Sequence, residues 1–507
     1  MSVDTNNAAF QDALNLIQYT RQSVFLTGKA GTGKSTFLRY VCENTKKKHV
    51  VLAPTGIAAI NAGGSTMHSF FKLPFYPLLP DDPNLSLQRG RIHEFFKYTK
   101  PHRKLLEQIE LVIIDEISMV RADIIDAIDR ILRVYSHNLR EPFGGKQLLL
   151  VGDVFQLEPV VKNDEREILN RFYPTPYFFS ARVFGQIDLV SIELQKVYRQ
   201  TDPVFVGVLD HIRNNTAGAA DLQLLNTRYG SQIEESEADM YITLATRRDT
   251  VDSINEKKLA ELPGDPITFE GVIEGDFPES SLPTSQELVL KPGAQIIFIK
   301  NDFDRRWVNG TIGVIAGIDE EEETIYVITD NGKECDVKRE SWRNIRYRYN
   351  EKTKEIEEEV LGSFTQYPIR LAWAITVHKS QGLTFSRVVI DFTGGVFAGG
   401  QAYVALSRCT SLDGIQLKKP INRADVFVRP EIVNFAGRFN DRQAIDKALK
   451  QAQADVQYAA ASRAFDKGDM EECLEQFFRA IHSRYDIEKP IPRRFIRRKL
   501  GVINTLK

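Results

Sequence analysis

Eight residues near the start, Gly28-Lys29-Ala30-Gly31-Thr32-Gly33-Lys34-Ser35, constrain this chain more than any other feature. They follow an apolar run at residues 23–26 and precede a stretch suited to a helix at residues 36–44. Strand, glycine-rich turn and helix in that order make a cradle for phosphate. The glycines let backbone N–H groups close around the anion, the lysine reaches the outer phosphates, and a Ser hydroxyl can meet Mg²⁺. The helix start adds its positive end. The spacing predicts a nucleoside triphosphate site in an α/β fold. Gly28, Ala30, Gly31, Thr32, Gly33, Lys34, Ser35 and Thr36 should surround the phosphates, with Lys34 catalytic and Ser35 a metal ligand.

The 507 residues exceed a single compact core, so several domains are expected. Short β-rich runs at His49–Ala53, Leu111–Ile114 and Gln147–Val151 alternate with helical stretches, the pattern of a parallel sheet covered by helices. A second α/β region should begin at Ser191, with buried strands at residues 240–245 and 388–392. Between them, residues 287–365 change character. QIIFIK, GTIGVIAGI and TIYVITDNGKECDVK read as short strands, and Asn309-Gly310 and Asn331-Gly332 as hairpin signals. The acidic run at residues 320–323 reads as a turn tip. In the first region, Pro74, Pro77, Pro80 and Pro83 exclude a helix interior or a central strand, so residues 70–105 are expected to cross the surface as an insertion. Past Pro430 the chain turns helical and polar, and AASRAFDKGDMEECLEQFFRAI reads as one helical hairpin.

Bulk charge is nearly balanced, 66 basic against 68 acidic residues, which counts against a protein that holds DNA by overall attraction but not against one with a local basic channel. Cys42, Cys335, Cys409 and Cys473 form no C-x-x-C pair and are expected as free thiols in a reducing compartment. The start lacks a basic n-region and an apolar core, and the apolar runs are too short for a bilayer. The expectation is a soluble intracellular protein with no membrane partner: cytoplasmic or nucleoid-associated in a bacterium, nuclear or mitochondrial in a eukaryote.

Two further segments bear on chemistry. Leu111-Val-Ile-Ile-Asp115-Glu116 is an apolar strand ending in two carboxylates. In phosphate-loop enzymes one such carboxylate holds Mg²⁺ and a neighbour polarises the attacking water; Asp115 is assigned to the metal and Glu116 to the water. Gln156, in GDVFQLEP after the next strand, is placed to touch the γ-phosphate.

Taken in order, GKAGTGKS, APTGIAAINAGGSTMHSFF, VIIDEIS, PFGGKQLLLVGDVFQLEPV, TVHKSQGLTF and YVALSRCTS resemble a superfamily 1B helicase over about residues 10–415. RADIIDAIDRILRVYSHNLREPFGG resembles the insert of the PIF-type helicases (petite integration frequency family), relatives of the RecD type. The resemblance implies two RecA-like phosphate-loop NTPase domains, residues 1–190 and 191–430. It also implies a wedge insertion at about 72–105, an SH3-like β-barrel at about 287–365 and a helical C-terminal extension at 431–507 with a basic end.

The implied activity is ATP-dependent, Mg²⁺-dependent unwinding of duplex or structured DNA, G-quadruplexes among them. Travel would be 5′-to-3′ on single strands, in repair, recombination, replication or telomere maintenance. The rival is a DNA-stimulated ATPase that translocates without separating strands. The implied partners are single-stranded DNA and duplex junctions, met by a monomer that can dimerise on DNA.

By the same resemblance, Gln11 reads the adenine edge. Arg199 and Arg408 reach the γ-phosphate from the second domain, and Gln381 and Gly382 face the nucleotide. Thr55, Gly56, Thr66 and His68 on the first domain, and Thr376, His378 and Lys379 on the second, contact the strand. Phe70 and Phe71 either stack on bases or belong to the core. Trp307, Lys300, Arg305 and Arg306 are either strand contacts of the β insert or a solvated hairpin tip. Arg493, Arg494, Arg497 and Arg498 share one helical face, either solvated or set against duplex phosphates.

Overall fold

A computed structural model describes residues 4, 7–86, 91–198, 200, 202–231, 240–304, 306–350 and 355–483, together with 493, 494, 497, 498, 501 and 505. The first half builds a six-stranded, wholly parallel sheet in the order β3-β2-β4-β5-β1-β6. Its strands are β1 (Val24–Gly28), β2 (His49–Ala53), β3 (Ser65–Thr66), β4 (Leu111–Ile114), β5 (Gln147–Val151) and β6 (Val190–Leu194). Helices α1 (Ala8–Tyr19), α2 (Lys34–Asn44), α3 (Gly56–Ala62), α4 (Met67–Phe71), α5 (Arg91–Phe96), α6 (Lys100–Gln108), α7 (Ala122–Tyr135) and α8 (Asn163–Leu169) surround it. Because both sheet faces are covered, β1, β4 and β5 are apolar runs buried end to end. Alternation splits their side chains between two cores. Phe25 and Val112 join one with α7, while Val24, Leu26 and Ile113 join the other with α1 and α2.

The second α/β body has a four-stranded parallel sheet of Ala374–Thr376, Ile242–Ala245, Val388–Asp391 and Ile415–Leu417, in that order. Helix α9 (Pro203–Arg213) and the helix Gln401–Leu406 pack into its core through Phe205, Val208, Ile212 and Val404.

The all-β region begins earlier than the composition change suggests. Ile267–Glu270 and Val272–Gly275 are already strands, pairing with Glu287–Leu290 and with the far end of Glu355–Gln366. The core of the insert is a five-stranded sheet. Its antiparallel pairs join Gln295–Phe298, Ile312–Asp319, Thr324–Thr329 and Glu334–Val337, with Ile369–Leu371 at one edge. Asn331-Gly332 forms a tight turn there, with Gly332 at φ 77°. Asn309-Gly310 instead ends a long connection between two paired strands. Residues 320–323 are a turn tip, as expected.

Burial corrects one expectation and decides between alternatives at others. The proline-rich stretch does not simply cross the surface: Leu73, Leu78, Leu85, Ile92, Phe96 and Tyr98 all enter the core of the first body. Phe70 and Phe71 are buried in that core, so neither is free to stack on a base. In the insert, Trp307 is buried and stacked on Phe298 at 4.4 Å, a core residue of the β sheet. Lys300 pairs with Glu340, and Arg306 with Asp302 and Asp336, so these cations are already neutralised. Arg305 lies outside the described residues.

The C-terminal region has a partner within the chain. Val428, Ile432 and Phe435 pack on one face of the first sheet, and Ile445 and Ala448 on the other. Asn440 hydrogen-bonds the edge strand β6 at Ser191 and Glu193. A hairpin of helices Arg442–Lys467 and Met470–Ser483, turning at Gly468 (φ 81°), follows. The four tail arginines are helical and exposed. Among the described residues no helix is long and apolar enough to cross a membrane, and the four cysteines are unpaired.

Candidate nucleotide site and strand-contact surfaces

The phosphate loop is set by the backbone. Gly31 and Gly33 hold φ 80° and 89°, a region where a side chain is strained, and Gly33 caps α2 in that conformation. The N–H groups at the start of α2 are thereby turned into the loop mouth. Lys34 Nζ lies there, 2.7 Å from the Gly28 carbonyl and 3.0 Å from that of Lys29. Thr32 Oγ1 braces the turn on the Lys29 carbonyl at 2.9 Å, and Ser35 is exposed on the first helical turn. Helix α1, which carries Gln11, docks on α2 through Phe10 against Phe37, ring centroids 4.9 Å apart.

Asp115 and Glu116 leave the end of β4 two strands away. The Asp115 amide still pairs with Leu52 of β2, and Glu116 N–H donates to Asp115 Oδ1 at 2.9 Å. Burial raises both carboxyls above the usual range. For Glu116 the neighbouring Asp115 adds to this, while the charges of Lys34 and Arg408 oppose it. Four predicted residues thus share one electrostatic site.

The second body supplies the other wall. Gln381 Nε2 donates to Gln156 Oε1 at 3.4 Å across the cleft. Arg408 is buried, its guanidinium bonded to the carbonyl of Val404 and to Ser407 Oγ. Gly382 is exposed at φ 78°. Arg199 lies outside the described residues, but its neighbours are tied to both walls. Tyr198 N–H donates to the Gly31 carbonyl at 2.9 Å, and Gln200 Nε2 to the Ser407 carbonyl at 3.0 Å.

Several cross-cleft residues escaped the sequence reading. Tyr403 OH accepts the Ala30 N–H at 3.1 Å in a buried setting. On α9, Asp210 pairs with Lys29 of the phosphate loop. One turn later Arg213 pairs with Asp153 (3.1 Å) and Glu193 (2.9 Å), stacked over Phe155. Tyr403 and Asp153 sit inside quoted motifs and were within reach. Asp210 and Arg213 carry no sequence signal, since only the fold reveals what α9 faces.

On the strand side, three threonines repeat one arrangement. Thr55 accepts the Ala58 N–H, Thr66 that of Ser69 and Thr376 that of Lys379, each at 3.2 Å. A hydroxyl used as an acceptor still has its own O–H to donate. Gly56 is packed under Ser281, whose Cα would lie 2.8 Å from any added Cβ, so close packing alone requires this glycine. His68 and His378 are half-buried, and desolvation lowers the pKa of both. Lys379 is exposed.

The PIF1-like helicase profile matches residues 4–211. The ATP-dependent DNA helicase Pif1 of Campylobacter jejuni is 34% identical over 414 residues, 78% of this chain and 88% of the relative. The chain belongs to the PIF1-like helicase family. A crystal structure of Bacteroides sp. Pif1 with ADP-AlF4 superposes with a TM-score of 0.78 at 41% identity, covering 86% of this chain and 97% of that one. Bacteroides Pif1 bound to single-stranded DNA matches with a TM-score of 0.62 at 41% identity, covering 88% and 99%. The RecA-like helicase fold and ATP-hydrolysing helicase activity follow, with ATP and Mg²⁺ as cofactors.

The residues present fit that pair. The exposed Ser35 hydroxyl and the Asp115 carboxylate are oxygen donors of the kind Mg²⁺ takes. When bound, Mg²⁺ neutralises charge developing on the phosphate oxygens.

Proposed function

We propose that the chain is a 5′-to-3′ DNA motor that unwinds duplex or structured DNA by opening and closing the cleft between the two α/β bodies, the first of which runs past the expected boundary at residue 190 because β6 (Val190–Leu194) pairs with β1 as an edge of its sheet. The observation that carries this reading is the division of the site. Lys34, Ser35, Asp115, Glu116 and Gln156 belong to one body, and Gln381, Arg408 and Tyr403 to the other. A nucleotide held by both draws them together, and hydrolysis releases them. In this reading Lys34 and the two arginines, Arg199 and Arg408, balance charge on the transferring phosphoryl. Glu116 takes the proton of the attacking water, Gln156 senses the γ-phosphate, and Gln11 selects adenine.

The strand would cross both bodies over Thr55, Thr66 and His68, then Thr376, His378 and Lys379. The single strand on Bacteroides Pif1 supports that path, and the direction is supported by the family resemblance alone. Residues 72–105 are assigned as the wedge, in which Phe75 and Tyr76 are exposed. The β insert is assigned as the SH3-like barrel that covers the strand.

The test is unwinding of a labelled duplex bearing either a 5′ or a 3′ single-stranded tail. Strand release should require ATP, Mg²⁺ and the 5′ tail. Release from the 3′ tail alone would reverse the direction. ATP turnover without release from either substrate would leave a translocase and remove the wedge assignment.

A further inference from the structure

Charge is not spread evenly along the chain. Residues 484–507 hold eight basic and two acidic residues, which leaves 58 of the 66 and 66 of the 68 for residues 1–483. A body with a surplus of eight acids therefore ends in a tail with a surplus of six cations. In that tail Arg493, Arg494, Arg497 and Arg498 are helical and exposed. Gly501 and Thr505 are helical too, and Thr505 Oγ1 donates to the Gly501 carbonyl at 2.7 Å. Two arginine pairs one helical turn apart stand on one side of the helix.

Exposed cations on other surface helices sit beside carboxylates of the same helix. Lys257 and Lys258 share Glu261, Arg442 pairs with Asp446, and Arg479 with Glu475. The tail has no such relief, because residues 489–507 contain no Asp or Glu. Four guanidiniums held close together repel one another, and a polyanion removes that cost. We infer that this face is a second DNA site, which grips the phosphate backbone of duplex DNA. Duplex is the substrate that a helicase must keep beside it while it works on one strand. It carries one charge per about 1.7 Å of axis, twice the density of one of its strands, and so favours a dense cation cluster. The planar fork of arginine matches phosphate oxygens. Contacts to phosphate alone hold any sequence, as a motor requires.

The helical hairpin ties this face to the first body. Ile445 and Ala448 are buried in the core shared with α1 and α2, Arg442 pairs with Asp12 of α1, and Asn440 joins β6. A duplex held by the tail is therefore tethered to the body that carries the phosphate loop. It stays at high local concentration when the cleft opens and the grip on the single strand loosens. The site is separate from the strand path proposed above, so each can be lost without the other.

The experiment measures fluorescence anisotropy binding of a labelled blunt duplex and of labelled oligo(dT) across a salt series, with the full chain. Arg493→Gln, Arg494→Gln, Arg497→Gln and Arg498→Gln made together should weaken duplex binding about tenfold or more at low salt. The slope of log Kobs against log salt should become shallower by about 0.9 for each arginine that pairs a phosphate. ATP turnover stimulated by oligo(dT) should not change, and the same four positions as lysine should keep the slope. Unchanged duplex affinity or slope, or equal losses on duplex and oligo(dT), would overturn the site. Binding to phosphatidylserine–phosphatidylcholine vesicles that the variant loses, with duplex binding kept, would overturn it in favour of a lipid surface. If the duplex result holds but oligo(dT) neither binds nor stimulates the wild type, the duplex site stands and the strand path falls.

Discussion

Glu116 sits at φ 50° and ψ 43°, a conformation few residues with a side chain adopt. Such a residue costs about 1–3 kcal/mol and persists only where its surroundings fix it. Here β4 ends, Asp115 accepts the Glu116 amide, and burial raises the carboxyl. A raised pKa means that the base is lost as pH falls, and lost closer to neutrality than an ordinary carboxylate would be. Glu116→Gln should lower kcat by about 10²–10⁴-fold with nucleotide affinity changed little. The wild-type rate should fall as pH drops below neutrality while the residual rate of the variant stays flat. Phosphate release measured from pH 8 to 6 checks both, and wild-type turnover in the variant would remove Glu116 from the mechanism. At this scale the sequence was most legible where chemistry demands a residue type at a spacing, as for Lys34 and Asp115. It was least legible for aromatics. Phe70, Phe71 and Phe75 differ in burial and not in kind, and burial is decided by the fold.

Helix α9 shows what a single element adds. Asp210 and Arg213 are three residues apart and so share a face. One meets Lys29 of the phosphate loop, and the other meets Asp153 just ahead of Gln156. The opposing helix Gln401–Leu406 begins at Gly400, where any Cβ would collide with the Phe155 and Gln156 carbonyls. Together these place the second body on both nucleotide loops. Arg213 and Asp153 are almost wholly buried, so removing the cation leaves a carboxylate without compensation. Arg213→Ala should cost about 3–5 kcal/mol. Arg213→Lys should recover only part of that, because a lysine cannot reproduce the fork that spans Asp153 and Glu193. Urea unfolding of the three proteins measures it, and equal stability would mean that the pair does not hold the bodies together. None of this was visible from periodicity, which identifies a helix but not what it faces. The early start of the β region was hidden for a related reason. The strand Val272–Gly275 pairs with residues some ninety positions later, and local composition carries no record of that.

At the scale of the whole molecule, a net charge of -2 gives no long-range pull on a polyanion, so strand affinity must come from local contacts. Those proposed here are mostly uncharged. Thr55, Thr66 and Thr376 offer hydroxyl donors, and burial favours neutral His68 and His378. Lys379 is the cation in the set. Only charge neutralisation releases counterions, with log Kobs falling by about 0.7 per log unit of salt for each single-strand phosphate paired. Two variants therefore separate the two kinds of contact. Lys379→Ala should make the salt slope shallower by about 0.7 along with its loss of affinity. Thr376→Val should weaken binding at every salt concentration and leave the slope as it is. A slope that Thr376→Val changes, or that Lys379→Ala leaves intact, would mean that the strand does not follow this track.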